Sequence, residues 1–256
     1  MLNQIDIQDI VTIAKEAGDA IMQVYNQDFE VEYKQDSSPL TLADKKANDI
    51  IEGGLNQLSL GFPILSEEGK EIPYKDRKHW EYFWLVDPLD GTKEFVKKNG
   101  EFTVNIALIH KDMPVIGVVY APVLNVCYWS KQSEGAFKDG KKLPLKIGSE
   151  LNTYKIVVSR SHMSDDTQEF IDAIDTEKEK ELILIGSSLK ICLIAEGEAD
   201  IYPRLGPTME WDTGAAHAII NESGKSLKKY TDGVYRKHKY NKECLLNQWF
   251  VAENCK

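Results

Sequence analysis

The chain has 256 residues, 42% of them hydrophobic and 28% charged, with 17 Gly and 9 Pro. That length suits one or two domains with a substantial core, and the composition excludes both a disordered and a collagen-like chain. Lys and Arg number 31 against 41 Asp and Glu, a formal net charge of −10. That sign opposes attraction to DNA or RNA backbones and suits carboxylates gathered around a cation.

Ile10, Ala14, Ala17, Ile21 and Val24 recur at three- and four-residue steps, predicting a first helix with one apolar face. An exposed loop is expected at 34–39, then a second helix over 42–58. Thr41 and Asp44 resemble a capping pair there, and Ala43, Ala47, Ile50, Ile51, Leu55 and Leu58 form the buried stripe. Short apolar strands follow at 83–86, 103–109, 115–120 and 126–129, and Asp139-Gly140 signals a hairpin. This half reads as a mostly antiparallel sheet packed against helices. From 150 the order becomes strand (156–159), helix (165–174), strand (182–185), helix (188–196), strand (200–202) and helix (212–222), a second and smaller α/β unit. The expected domains are therefore 1–149 and 150–256. The alternating charges of 177–181 read as a solvated loop or helix end, and the basic stretch 225–242 as a solvated face, with weak attachment to an anionic membrane as the rival reading.

Cys127, Cys192, Cys244 and Cys255 form neither a CxxC pair nor a disulfide framework, and residues 1–9 lack the basic start of a signal peptide, so a cytoplasmic protein with reduced thiols is expected. The sequon at Asn221 is then a chance occurrence. The uncharged run 113–130 reaches membrane-spanning length, but Pro114, Gly117, Pro122 and Asn125 suit two strands joined by a turn.

Two motif hits fail on context. Residues 135–142 nearly spell a phosphate-binding loop but end in Lys rather than Ser or Thr and sit in a predicted hairpin. Ser187-Ser188-Leu189-Lys190 spells S-x-x-K without the companion S-D-N or K-T-G. His79, His110, His162, His217 and His238 show no zinc spacing; only His162, in a loop after a predicted strand, is kept as a ligand-binding candidate.

The informative segment is Trp84-Leu85-Val86-Asp87-Pro88-Leu89-Asp90-Gly91-Thr92. An apolar strand ends in two carboxylates, with a proline to stiffen the turn and a glycine to let backbone approach a ligand. Convergent acids need a counter-cation, and all-oxygen ligands favour a hard ion such as Mg²⁺. Glu67-Glu68 ends another strand-like run, and Glu210 and Asp212 flank a helix start. Acids at three element ends point to a multi-metal site assembled from separate loops.

These residues resemble the lithium-sensitive, Mg²⁺-dependent phosphomonoesterases of the inositol monophosphatase superfamily. The resemblance rests on 40–44, 65–68, 87–95 and 211–216 and spans the whole chain. Residues 91–95, 100–107 and 187–204 look like its branch of CysQ-type 3'(2'),5'-bisphosphate nucleotidases; Gly214-Ala215-Ala216 departs from the family's usual glycine ending. The resemblance implies an α+β fold, a layered αβαβα sandwich of the inositol monophosphatase and fructose bisphosphatase type, with an antiparallel N-terminal sheet and a smaller C-terminal α/β domain. It further implies two or three Mg²⁺ ions held by Glu67, Asp87, the Leu89 carbonyl, Asp90 and Asp212. Asp44, Thr92 and Glu67 would be catalytic, Asp44 with Thr92 positioning or activating the attacking water. Gly91 and Thr92 amides would hold the phosphate, and Lys34 would sit in a loop that closes over the metals. Ser187, Lys190, Arg204 and His162 would contact a nucleotide and its second phosphate, and Asp212 would also touch the substrate.

The implied reaction is in-line removal of the 3'-phosphate of 3'-phosphoadenosine 5'-phosphate, giving AMP without a phosphoenzyme. 3'-Phosphoadenylyl sulfate is a second candidate substrate, which would link the protein to sulfur assimilation. The alternative on the same scaffold is an inositol or sugar monophosphatase; a non-catalytic metal or nucleotide sensor is the rival of another class. No polymeric nucleic acid partner or transmembrane segment is expected. The location would be cytoplasmic, with the inner face of the membrane as the place for any peripheral contact.

Overall fold

The computed structural model describes residues 2–27, 31–33, 39–58, 60–146, 152–160 and 163–254. Lys34, His162, Cys255, most of the expected 34–39 loop and the expected boundary at 149/150 lie outside the described residues. Helix α1 (Ile7–Tyr25) starts at Asp6, whose carboxylate accepts from Gln8 N at 2.9 Å, and it buries Ile10, Ala14, Ala17, Ile21 and Val24 as their spacing predicts. Strands β1 (Val31–Tyr33) and β2 (Pro39–Thr41) pair antiparallel and lead directly into α2 (Leu42–Gln57), which buries Ala43, Ala47, Ile51 and Leu55. The Thr41 side chain is not among those described.

The first sheet follows: β3 (Ile64–Ser66), helix α3 (Tyr74–Arg77), β4 (Tyr82–Asp90), helix α4 (Thr92–Val96), β5 (Thr103–His110), β6 (Met113–Ala121), β7 (Val126–Lys131), β8 (Gly135–Lys138) and β9 (Lys141–Lys142). Its strands lie in sequence order, parallel between β3 and β4 and antiparallel beyond. The uncharged run forms β6, a turn and β7, and no described helix is long and apolar enough to cross a membrane. Asp139 and Gly140 make the β8–β9 turn with φ of 46° and 78°, the pair of positive values a tight hairpin needs, so 135–142 is no phosphate loop.

The second half contributes β10 (Thr153–Ser159), α5 (Asp165–Asp172), β11 (Glu179–Ile185), α6 (Leu189–Glu196), β12 (Ile201–Arg204), α7 (Trp211–Glu222), β13 (Ser226–Thr231), β14 (Val234–Lys237) and β15 (Phe250–Glu253). The second sheet runs β11-β10-β12-β15-β13-β14, parallel among the first three and antiparallel after them. One sequence reading changes here. Glu179 to Glu181 pair with Thr153 to Lys155 in an edge strand rather than lying in a loop, since an edge tolerates charge along its solvated side. The basic stretch folds as the β13–β14 hairpin, with Arg236 and Lys237 exposed.

These elements stack in five layers: α1 and α2, the first sheet, α6 and α7, the second sheet, and α5. The expected αβαβα sandwich is the fold. Contact between α7 and the first sheet depends on Gly117 of β6, where a Cβ would stand 2.1 Å from the Ala215 carbonyl oxygen. Ala215 and Ala216 are both buried there, so the alanines pack as closely as the layer requires.

Candidate active site

The acids do not lie beyond the end of a strand; they belong to β4 itself. Asp87 pairs with Asn105 and Asp90 with Thr103, so three steps along β4 match two along β5, and one extra residue is bulged. In a regular strand, residues three apart face opposite sides. The bulge returns Asp90 to the side of Asp87, which is the structural reason for Pro88-Leu89 between them. Gly91 follows with φ of 97°, a left-handed conformation that admits glycine without strain, and turns the chain into α4.

Glu67 reaches the same place from β3. Its amide donates to the Val86 carbonyl at 3.1 Å, and the preceding Ser66 hydroxyl donates to Asn48 Oδ1 of α2 at 2.6 Å. Asp212 comes from the first turn of α7, its Oδ2 accepting from Met209 N at 2.8 Å. The segment before it is tied down by Asn247 Nδ2, which donates to the Met209 carbonyl at 2.6 Å, and by fully buried Glu210, which accepts from Asn241 N and Lys242 N. Carboxylate oxygens of Glu67, Asp87 and Asp212 lie within 4.8 Å of one another.

Burial raises the pKa of Asp87 well above the usual range, and the charges of Glu67, Asp90, Asp212 and Asp44 push it further. Asp212 is raised by burial, then by Asp90 and Glu67. Burial also raises Asp90, opposed by Lys190 and by hydrogen bonds from Ser188 and Asn105. Without a cation these groups resist ionising together, and the donors that would answer one are all oxygens.

A cleft of about 620 Å³ opens at these acids, lined by Glu67, Asp87, Leu89, Asp90 and Asp212, by Gly91 and Thr92, and by Ser187, Lys190 and Arg204. Among the described residues, the sequence-derived candidates thus converge, with one exception. Asp44, in the first turn of α2 and 3% exposed, does not line the cleft but acts on Asp87 through its charge. Lys190 stands on α6 with Nζ 5.9 Å from the Tyr202 ring, and burial, opposed by Asp90, lowers its pKa to about 8. Arg204, at the end of β12, donates from Nη2 to the Pro207 carbonyl at 2.8 Å.

Several contributors escape sequence reasoning. Tyr202 and Phe250, edge to face at 5.7 Å, form an aromatic part of the lining. Glu101 accepts from Arg160 Nε and Nη2, both at 2.7 Å, and from Gly186 N at 2.9 Å, tying together the chain neighbours of the lining residues Ser159 and Ser187. Ser188, itself part of the lining, and Asn105 both donate to Asp90 Oδ2. The available signal for Asn105 is its place as the one amide in the apolar run Val104-Asn105-Ile106-Ala107-Leu108. Of the other histidines, His217 and His238 are buried packing residues, His110 stacks on Tyr82, and His79 is exposed. Cys127 and Cys192 are buried free thiols and Cys244 an exposed one.

Residues 3–255 match the profile of the inositol monophosphatase family. The chain is 48% identical over 222 residues to the 3'(2'),5'-bisphosphate nucleotidase CysQ of Salmonella typhimurium, across 85% of this chain and 88% of that one. The structure is similar to CysQ from Bacteroides thetaiotaomicron, a bacterial member of the inositol monophosphatase family, with a TM-score of 0.87 and 41% identity over 98% of this chain and 97% of the other. A staphylococcal inositol monophosphatase, solved as a lithium chloride-soaked inhibitory complex, shares the fold at a TM-score of 0.80 and 22% identity, over 99% and 91% of the two chains.

Proposed function

The chain belongs to the inositol monophosphatase family, and from that premise we propose that it is a metal-dependent 3'(2'),5'-bisphosphate nucleotidase, hydrolysing 3'-phosphoadenosine 5'-phosphate to AMP and phosphate. One observation carries this reading: a single cleft is lined both by the acidic group Glu67, Asp87, Asp90 and Asp212 and by the cationic pair Lys190 and Arg204. A monophosphate has use for the acidic group alone. A bisphosphate has use for both.

The donor set fits hard divalent cations, with carboxylates of raised proton affinity that a cation would satisfy and oxygen as the sole ligand type. We take the ions to be two or three Mg²⁺, held by Glu67, Asp87, the Leu89 carbonyl, Asp90 and Asp212. Bound there, they supply positive charge to the phosphoryl oxygens and lower the pKa of water. The protein's own groups do the rest. Gly91 and Thr92 present the first amides of α4 to the phosphate, which lack acceptors inside the helix. Thr92 positions the attacking water from the cleft lining, and Asp44 assists from behind it through its charge on Asp87. Lys190 and Arg204 take the second phosphate through charge-assisted contacts, and Ser187 and His162 are assigned to the nucleotide. Lys34 is assigned to closure over the ions.

We further propose a division into halves 1–149 and 150–256 with the cleft between them, a cytoplasmic location, and 3'-phosphoadenylyl sulfate as a second substrate. The test is phosphate release from 3'-phosphoadenosine 5'-phosphate, 3'-phosphoadenylyl sulfate, inositol monophosphate and fructose bisphosphate by purified protein with Mg²⁺. Preference for the nucleotide bisphosphate is the expected result, and faster turnover of inositol phosphate would sink the substrate assignment.

A further inference from the structure

Ser188 immediately precedes α6, where a serine ordinarily turns its hydroxyl back to accept from first-turn amides. Ser164 does this for α5, accepting from Thr167 N at 3.2 Å. The Ser188 hydroxyl makes no such cap. It is buried, 2.8 Å from Asp90 Oδ2 and 2.6 Å from the Asp212 carbonyl oxygen, and it accepts from Asn105 Nδ2 at 2.9 Å. Asn105 Nδ2 lies 3.2 Å from the same Asp90 Oδ2. A hydroxyl has one proton and two lone pairs, so a bond accepted from Asn105 leaves that proton shared between Asp90 and the Asp212 carbonyl. One oxygen atom therefore ties β4, β5, α6 and α7 together at the acidic wall.

We propose that Ser188 and Asn105 are a positioning pair that sets the placement of Asp90 against Asp212 and so determines how tightly the site holds its cation. The inference rests on the reading of those two acids as metal ligands. Two donors on Oδ2 hold the plane of the Asp90 carboxylate and leave Oδ1 for a cation, while the same hydroxyl pins the first turn of α7 beside it. Asp90 and Asp212 carry like charge and come from distant parts of the chain, so repulsion drives them apart when nothing holds them. A cation must then draw them back before it binds. The hydroxyl keeps them preorganised at the cost of a helix cap.

The experiment is a calorimetric titration of the metal-free, full-length protein with MgCl₂ and no substrate, alongside the thermal midpoint of each variant. Ser188→Ala is expected to weaken Mg²⁺ binding on the order of tenfold, the scale of a hydrogen bond to a charged group, with kcat recovering toward wild type at saturating Mg²⁺. Asn105→Leu should shift the affinity in the same direction. Because Asn105 Oδ1 has no hydrogen-bond partner, leucine removes only the donor side. The double variant should bind no more weakly than Ser188→Ala by more than about twofold, since both act through one network. Asp90→Asn separates the two levels of the argument. If it loses Mg²⁺ binding while Ser188→Ala and Asn105→Leu bind as wild type does, the ligand reading stands and the positioning inference is overturned. If Asp90→Asn binds Mg²⁺ as wild type does, the ligand reading fails and the inference goes with it. Should Ser188→Ala not fold, the Asn105→Leu titration decides by itself.

Discussion

The acidic wall of the cleft draws its carboxylates from β4, from the first turn of α7 and from Glu67 in the turn directly after β3, whereas the cationic wall consists of Lys190 on α6 and Arg204 on β12. On the first wall like charges raise one another's proton affinity, so in the absence of a cation the arrangement opposes itself. On the second, Lys190 faces the field of Asp90 and the like charge of Arg204, and burial weakens its hold on its proton. The contrast teaches a division of labour. Under the proposed function, the acidic wall, once it holds metal, would serve any phosphate ester, and the cationic wall would select among esters.

Removing the metal tests the first half of that contrast and carries the largest expected effect. Excess chelator should abolish phosphate release, with Mg²⁺ restoring it. Lithium, with half the charge of Mg²⁺, should inhibit at roughly millimolar concentration, because a weaker charge at the same oxygens stabilises the transferred phosphoryl group less. Undiminished turnover in chelator would show that the acids serve another purpose.

Asp90→Asn and Asp212→Asn come next. Each removes one charge with little change of shape and should lower kcat on the order of a thousandfold, about 4 kcal/mol in the barrier. The fold should survive. Neutralising one member of a mutually repelling cluster relieves the metal-free protein, so its thermal midpoint should stay level or rise. A large fall in the midpoint together with lost activity would make these residues architectural instead.

The third effect is smaller and belongs to the cationic wall alone. Lys190→Ala and Arg204→Ala should each cost roughly ten- to a hundredfold in kcat/KM for 3'-phosphoadenosine 5'-phosphate, the scale of one charge-assisted contact of ~1.5 to 3 kcal/mol. A simple monophosphate ester should lose much less. Equal losses on both substrates would erase the distinction between the walls and favour a monophosphatase.

The two walls were not equally legible in the sequence. Asp87, Asp90, Gly91 and Thr92 are contiguous, so their chemistry shows in a single line, although the bulge that brings Asp87 and Asp90 to one side depends on pairing with β5. Lys190 and Arg204 could be read only through the family resemblance, because a helix lysine and a strand-end arginine carry no local mark of convergence. Ser188 and Asn105 were missed for the same reason: they meet across 83 positions of chain, and serine before a helix looks like an ordinary cap. Strands β13 to β15 went unread because Lys228, Lys229, Arg236 and Lys237 dilute the alternation, and only the pairing with Val251 and Phe250 shows which face is buried. Where apolar periodicity was strong, as in α1 and α2, element and buried face both followed from it.

The smallest effect sharpens the comparison by titrating one wall against the other. Lys190 loses its proton near pH 8, chiefly because of burial, while an unfolded lysine keeps it to about 10.4. Between those values the unfolded chain binds more protons at this position than the folded one, so this residue's contribution makes stability rise with pH across the window. Binding of the second phosphate should change in the opposite sense, because a neutral amine offers it no charge. The pH dependence of kcat/KM reports groups of the free enzyme. It should therefore fall above pH about 8 for 3'-phosphoadenosine 5'-phosphate and stay level for a monophosphate ester, which has no group for Lys190 to hold. Comparing the two substrates on the same enzyme cancels any pH effect on the metals or the attacking water, since both reactions share the acidic wall. In Lys190→Met the alkaline fall should vanish along with the stability gain. A fall of the same size for both substrates would assign the titration to the acidic wall and leave Lys190 without a part in choosing the substrate.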